Sequence, residues 1–138
     1  MNGLLLKLAM VVTAGGLLNS VVAQVSATTD KPARVRITQG PEIERADPDF
    51  AIIRWTSNNP GGSPEHYGIV HYGTDPKKLS QTAKSPIRLN PGHSHTVFRV
   101  RIDGLEPRTT YYYTVDSIEA NGKSDGVRSP VEHFTTPG

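Results

Sequence analysis

The sequence has no cysteine. That excludes disulfide bonds, thiolate metal ligands and cysteine nucleophiles together. Charge of one sign is also scarce, with 15 Lys and Arg against 13 Asp and Glu and a formal net charge of +2. The chain is therefore not a broadly basic protein. Helical periodicity is missing after about residue 27. Long apolar runs are missing too, except one at the start.

That run reads as a targeting segment. Lys7 precedes an apolar stretch from Leu8 to Val22, interrupted by Thr13, Gly15, Gly16, Asn19 and Ser20. Small residues at cleavage-competent positions follow, in Val21-Val22-Ala23 and Val25-Ser26-Ala27. This is the pattern of a secretory signal peptide over residues 1–27. About 15 apolar residues fall short of the roughly 20 that a spanning helix needs. The expectation is cleavage between Ala23 and Ala27, a secreted or periplasmic location and no membrane span afterwards. Residues 28–138 then form one domain, long enough for a core without disulfides.

Short strands separated by turn residues fill the remainder, as in an all-β sandwich. The alternation predicts about seven antiparallel strands: Arg34–Gln39, Phe50–Thr56, His66–Tyr72, a weaker one at Leu79–Ala83, Thr96–Ile102, Thr110–Ile118 and Val131–Thr136. Turn chemistry joins them at residues 58–64, at Asn90-Pro91-Gly92 and at Asn121-Gly122. The polar run to Ser129 suggests a longer loop after Asn121-Gly122.

Gly104 to Val115, GLEPRTTYYYTV, carries the most specific signal. Leu105, Pro107, Thr109 and Tyr111 are evenly spaced where the chain would cross from one sheet to the other. Leu105 would plug the core, Pro107 would stiffen the crossing, and Tyr111 would bury its ring and bond its hydroxyl to nearby backbone. That is a tyrosine corner. With Trp55 on the second strand, the chain resembles a fibronectin type III, immunoglobulin-like β-sandwich.

Three stretches carry a closer resemblance: IVHYGTDPKKLSQTA (Ile69–Ala83), IDGLEPRTTYYYTV (Ile102–Val115) and FTTPG (Phe134–Gly138). In order and spacing they are similar to the N-terminal sandwich domain of purple acid phosphatases. Glu132 departs from the family, which favours an apolar residue there. The resemblance implies a module that precedes a two-metal phosphomonoesterase domain. The ligand motifs of that second domain (G-D-x-x-Y, G-N-H-E/D, V-x-x-H) do not occur in this sequence. No catalytic residue, cofactor or metal site is therefore expected.

Other candidates have bland readings. Gly92-His93-Ser94-His95 matches a G-H-x-H ligand motif but lacks companion ligands, and metal sites are judged by ligand count. It reads as a polar turn. Asp47 and Asp49 read as turn residues, and Lys123-Ser124-Asp125-Gly126 as a solvated loop.

Strand parity then assigns two outer faces. Arg36, Arg54, Arg99 and Arg101 fall on one, over the first, second and fifth strands, with Glu42, Glu44 and Asp103 as nearby counter-charges. They offer either a surface for an anionic polymer or a solvated face that keeps the sheet soluble. Tyr67, Ile69, His71, Tyr112, Thr114, Val131 and His133 fall on the other. Such an apolar and aromatic face either marks a partner site or reflects ordinary strand propensity. The functional expectation is an exported, non-catalytic binding or adaptor module for a protein or glycan. The alternative is a detached accessory domain acting with a separate metallophosphoesterase chain.

Overall fold

A computed structural model describes Lys31, Pro32 and residues 34–138. The signal-peptide reading of residues 1–27 lies outside them. Among the described residues there is no helix, and eight strands form two antiparallel sheets. In chain order these are β1 (Ile37–Ala46), β2 (Phe50–Asn58), β3 (Glu65–Gly73), β4 (Gln81–Arg88), β5 (His95–Asp103), β6 (Thr110–Glu119), β7 (Ser124–Arg128) and β8 (Glu132–Thr135). One sheet runs β1-β2-β5; the other runs β8-β6-β3-β4, with β7 also paired to β6. This is the all-β, two-sheet antiparallel sandwich that the sequence leads one to expect.

Alternating side chains build the core between the sheets. Ala51, Ile53 and Trp55 face inward from β2, and Phe98, Val100 and Ile102 from β5, none more than 1% exposed. Val70 and Tyr72 of β3, and Tyr113 and Val115 of β6, oppose them from the other sheet. Trp55 and Phe98 stack with ring centroids 5.2 Å apart. Gly68 lies beneath this stack, where a Cβ would stand 3.0 Å from Phe98 and 3.1 Å from Trp55. The glycine makes room for the indole.

The corner forms as its spacing predicts. Leu105 is buried, and the Tyr111 hydroxyl accepts a hydrogen bond from the Glu106 N–H at 2.8 Å. The Tyr111 ring packs on Phe134 at 5.8 Å and against Tyr72 at 6.5 Å.

Three boundaries differ from the sequence reading. The first strand begins at Ile37 and runs on to Ala46, through register shifts around Gln39 and Glu42. Gly40-Pro41 looks like a strand end, yet Gly40, at φ 84°, carries the chain past β2. A Cβ there would meet the Arg54 carbonyl oxygen at 3.0 Å. The weak fourth strand lies at Gln81–Arg88 instead of Leu79–Ala83. Pro86 is tolerated because β4 is a sheet edge, where a missing N–H leaves no ladder bond unmade. The polar run after Asn121-Gly122 is not a long loop, because Ser124–Arg128 turns back on β6 as β7. β7 and β8 occupy the same edge of β6, since β3 takes the other edge throughout. They are one edge strand broken at Ser129-Pro130.

Candidate functional site

The outer face of the five-stranded sheet is organised around β6. Tyr112, Thr114 and Asp116 point outward along it, and their register neighbours on β3 are Gly73, His71 and Ile69. On the opposite edge His133 faces Tyr112, and Arg128 faces Asp116. Gly73 contributes no side chain to the face. The 76–79 turn and the Ser129-Pro130-Val131 break rise on either side. The result is a groove of about 470 Å3 lined by His71, Leu79, Thr114, Arg128, Pro130 and Val131, among others.

Two oxygens in this region lack partners. The Asp116 Oδ2 receives the His71 Nε2 at 3.1 Å and the Arg128 Nη2 at 3.2 Å. Its Oδ1 is buried with no hydrogen-bond partner among the described residues, and so is the Thr114 Oγ1. Thr114 is only 5% exposed. Buried polar groups are nearly always satisfied; Arg54 Nε, Trp55 Nε1 and Asp125 Oδ1 are likewise without partners among the described residues.

The expected aromatic patch is only partly open. Tyr67, His71 and Tyr112 are half-buried, while Val131 and His133 are exposed. Tyr112 and His133 rings lie 5.9 Å apart, and the Lys84 ammonium sits 4.9 Å above the Tyr67 ring. Ile69 is a correction: it is 8% exposed and cannot act as an open contact. β3 is central in its sheet, so Lys84 and Asp116 flank Ile69 on both sides. Thr114 is shielded for the same reason, between its neighbours on β3 and the broken edge strand.

The arginines separate into two groups. Arg54 and Arg99 are directly opposed on β2 and β5, but carboxylates interleave with them. Arg99 Nε donates to Glu44 at 2.7 Å, and Arg54 lies 4.0 Å from Glu42. Arg101 Nε donates to Asp103 at 2.8 Å and covers the Phe50 ring at 3.8 Å. Arg36 stands apart, because it precedes β1 and does not reach Arg54. The four do not form one stripe.

Sequence reasoning missed a buried polar cluster at the other end of β6. Lys123-Ser124-Asp125-Gly126 is not a solvated loop, since the Asp125 side chain is fully buried. His66 Nδ1 lies 2.9 Å from Asp125 Oδ2, and His66 Nε2 lies 2.9 Å from the Gly61 carbonyl oxygen. Ser117 Oγ donates to the same Asp125 oxygen at 2.7 Å. With two acceptors against one ring, His66 is an imidazolium donating from both nitrogens. Burial opposes that charge, but Asp125, the Gly61 carbonyl and Glu119 outweigh it and raise the His66 pKa above 6.5. Next to it, Glu119 binds the Ser63 N–H and hydroxyl and the Lys31 ammonium. Burial would raise its pKa, yet these donors hold the carboxyl down to about 2. The signal was present in parity: His66 shares the inward face with Val70 and Tyr72, and an inward histidine needs partners. With both His66 nitrogens engaged and the ring fully buried, the cluster ties three segments together.

The G-H-x-H segment is a turn. His93 and His95 are exposed, and Asn59 Nδ2 holds the turn by donating to the Asn90 and His93 carbonyls, each at 3.0 Å. Among the described residues no group of three or more His, Asp or Glu side chains is placed to hold a metal ion. No described helix is long and apolar enough to cross a membrane.

Comparison with known proteins agrees with this architecture. The solution structure of the sensor domain of the anti-sigma factor RsgI4 in Pseudobacteroides cellulosolvens is 17% identical, covering 76% of this chain and 75% of its own, with a TM-score of 0.51. A shorter form of that domain is 16% identical over 77% of this chain and 97% of its own, also at 0.51. A fibronectin type III domain of human fibronectin type III domain containing protein 3 is 18% identical over 79% and 89%, at 0.46. At these identities the sensor-domain likeness shows the fold. No curated protein matches the sequence. The family model described as the purple acid phosphatase N-terminal domain matches residues 32–136, the whole sandwich, and the chain therefore belongs to that family.

Proposed function

We propose that this chain is an exported, non-catalytic binding module that holds an extended polypeptide segment in the groove lined by His71, Leu79, Pro130 and Val131. The carrying observation is the groove itself, whose rim carries Val131 at 48% exposure beside His71, Leu79 and Pro130. Tyr112, His71, Val131 and His133 add the aromatic and apolar edge on which interface hot spots form. Export rests on the apolar segment and cleavage sites within residues 1–27.

A second reading follows from the family match, whose name places this module at the front of an enzyme. In it, the bound polypeptide is a separate metallophosphoesterase chain. A metallophosphoesterase gene immediately downstream would favour this reading over a free-standing adaptor.

A photo-crosslinking residue at Tyr112 tests the groove, with the same residue at Arg99 as the comparison. The expected result is a polypeptide adduct at Tyr112 that falls sharply with Val131→Asp. A saccharide adduct, or one equal at both positions, overturns the reading. The chain alone is expected to leave phosphomonoesters unhydrolysed with added divalent metals. Turnover that disappears in the His93→Ala, His95→Ala double variant would overturn that.

A further inference from the structure

On the far side of the broken edge strand lies a second hollow, of about 390 Å3. Arg34, Arg36 and Arg128 all line it, with Ile37, Pro41 and Val127 among its apolar walls. No acidic residue is among the described residues that line it. Among the described residues Arg34 and Arg36 form no ion pair, in contrast to Arg54, Arg99 and Arg101.

The backbone beneath the two N-terminal arginines is held in place. Asn58, the last residue of β2, donates its Nδ2 to the Arg34 carbonyl at 2.8 Å and accepts from the Arg36 N–H at 2.7 Å. The Asn58 N–H donates in turn to the Arg36 carbonyl at 3.2 Å. Between the two, Val35 is buried. Alternation in extended backbone then sends Arg34 and Arg36 to the side away from Val35. The third guanidinium comes from β7 and is shared, with its Nη2 3.2 Å from Asp116.

We propose that Arg34, Arg36 and Arg128 form an oxyanion site that takes the phosphate group of a phosphorylated ligand. Arg34 and Arg36 have no counter-charge among the described residues and Arg128 has only one that it shares, so a dianion relieves the repulsion among the three. Phosphate presents nearly two charges and three acceptor oxygens near neutral pH. Planar guanidinium forks bond such oxygens in pairs. A carboxylate, with one charge and two oxygens, satisfies fewer of these donors. The hollow exceeds one phosphate, so the ester's organic part rests on Ile37, Pro41 and Val127. This site is distinct from the groove over Thr114 and shares only Arg128, Ser129 and Pro130 with it.

Inorganic pyrophosphate is the soluble probe, titrated into the whole chain while arginine Nε–H and backbone amide NMR shifts are followed. Saturable shifts at residues 34–36 and 126–130, weakening as salt rises, are the expected result. Arg36→Gln and Arg128→Gln should each weaken binding about tenfold, the loss of one charged hydrogen bond. Arg99→Gln, whose arginine is engaged by Glu44, should leave it unchanged. Asp116→Asn frees Arg128 and should tighten binding several-fold, a gain that misfolding would not produce. A parallel arm uses phosphatidylcholine vesicles with and without phosphatidic acid. Pyrophosphate shifts without vesicle binding assign a soluble ester, and vesicle binding lost in the same variants assigns a lipid headgroup. Absence of both, or an equal loss in Arg99→Gln, overturns the proposal.

Discussion

The imidazole of His66 and the carboxylate of Asp125, 59 positions apart, meet at 2.9 Å with both side chains fully shielded from solvent. This pair joins β3 to the β6–β7 hairpin. Through Gly61 and the adjoining Glu119 it also secures the 58–64 connection and Lys31. In a protein without disulfides, these polar bonds close the end of the sandwich that the apolar core does not reach.

The pair gives stability a defined pH dependence. His66 has a folded pKa above its ordinary 6.5. Its contribution is complete below 6.5 and is lost as pH rises through the folded value. Glu119 behaves oppositely: it is held at about 2 against an ordinary 4.5. Its contribution is complete above 4.5 and is lost as pH falls toward 2. The melting temperature should therefore be highest between about 4.5 and 6.5 and decline on both sides. A plateau extending unchanged to pH 9 would contradict the charged state assigned to His66.

Removing one partner should be severe. Asp125→Ala strands a buried imidazolium, a change that costs about 3–5 kcal/mol in buried pairs. It should also weaken the alkaline decline, since the carboxylate that favours the charged ring is gone. Urea melts at two pH values measure both effects in one series.

Tyr111 and Tyr112 are adjacent yet should respond differently. Tyr111→Ala removes a ring packed on Phe134 and Tyr72 and should cost about 3–5 kcal/mol. Tyr111→Phe leaves the Glu106 N–H without its partner and should cost about 1 kcal/mol. Tyr112 points outward, so Tyr112→Ala should cost less than either the corner's ring or the buried pair. Chemical denaturation of the three variants gives the ranking directly.

Gly68→Ala should destabilise although it adds only a methyl group. Its Cβ would stand 3.0–3.2 Å from Phe98 and Trp55, and neither ring can move without disturbing the other's stacking. Overpacking of this kind costs about 1–3 kcal/mol. A change in Trp55 fluorescence would report the displaced indole, and an unaltered spectrum with unaltered stability would show slack in the core.

Local pattern decided much of this protein. Period-two alternation is written into Phe98, Val100 and Ile102 and into Ile53 and Trp55, because a sheet with one buried face must segregate its side chains. The corner from Leu105 to Tyr111 was equally legible, since its bonds span only a few residues. What alternation cannot carry is the identity of lateral neighbours. Parity puts Ile69 on the outer face, but only the position of β3 between β4 and β6 covers it. Parity likewise puts Arg54 and Arg99 on one face with Glu42 and Glu44 nearby, but only the strand register sets Glu42 opposite Arg54 and brings Glu44 to Arg99. Asp125 sits in a polar run that looks like solvent-facing loop. Only the return of β7 along β6 brings it to His66, because hydrogen bonds between distant residues depend on topology and leave no period in the chain. The groove over Thr114 and the hollow beside Arg34 also arise there, where Ser129-Pro130 breaks the edge strand between two sets of side chains that the sequence keeps far apart.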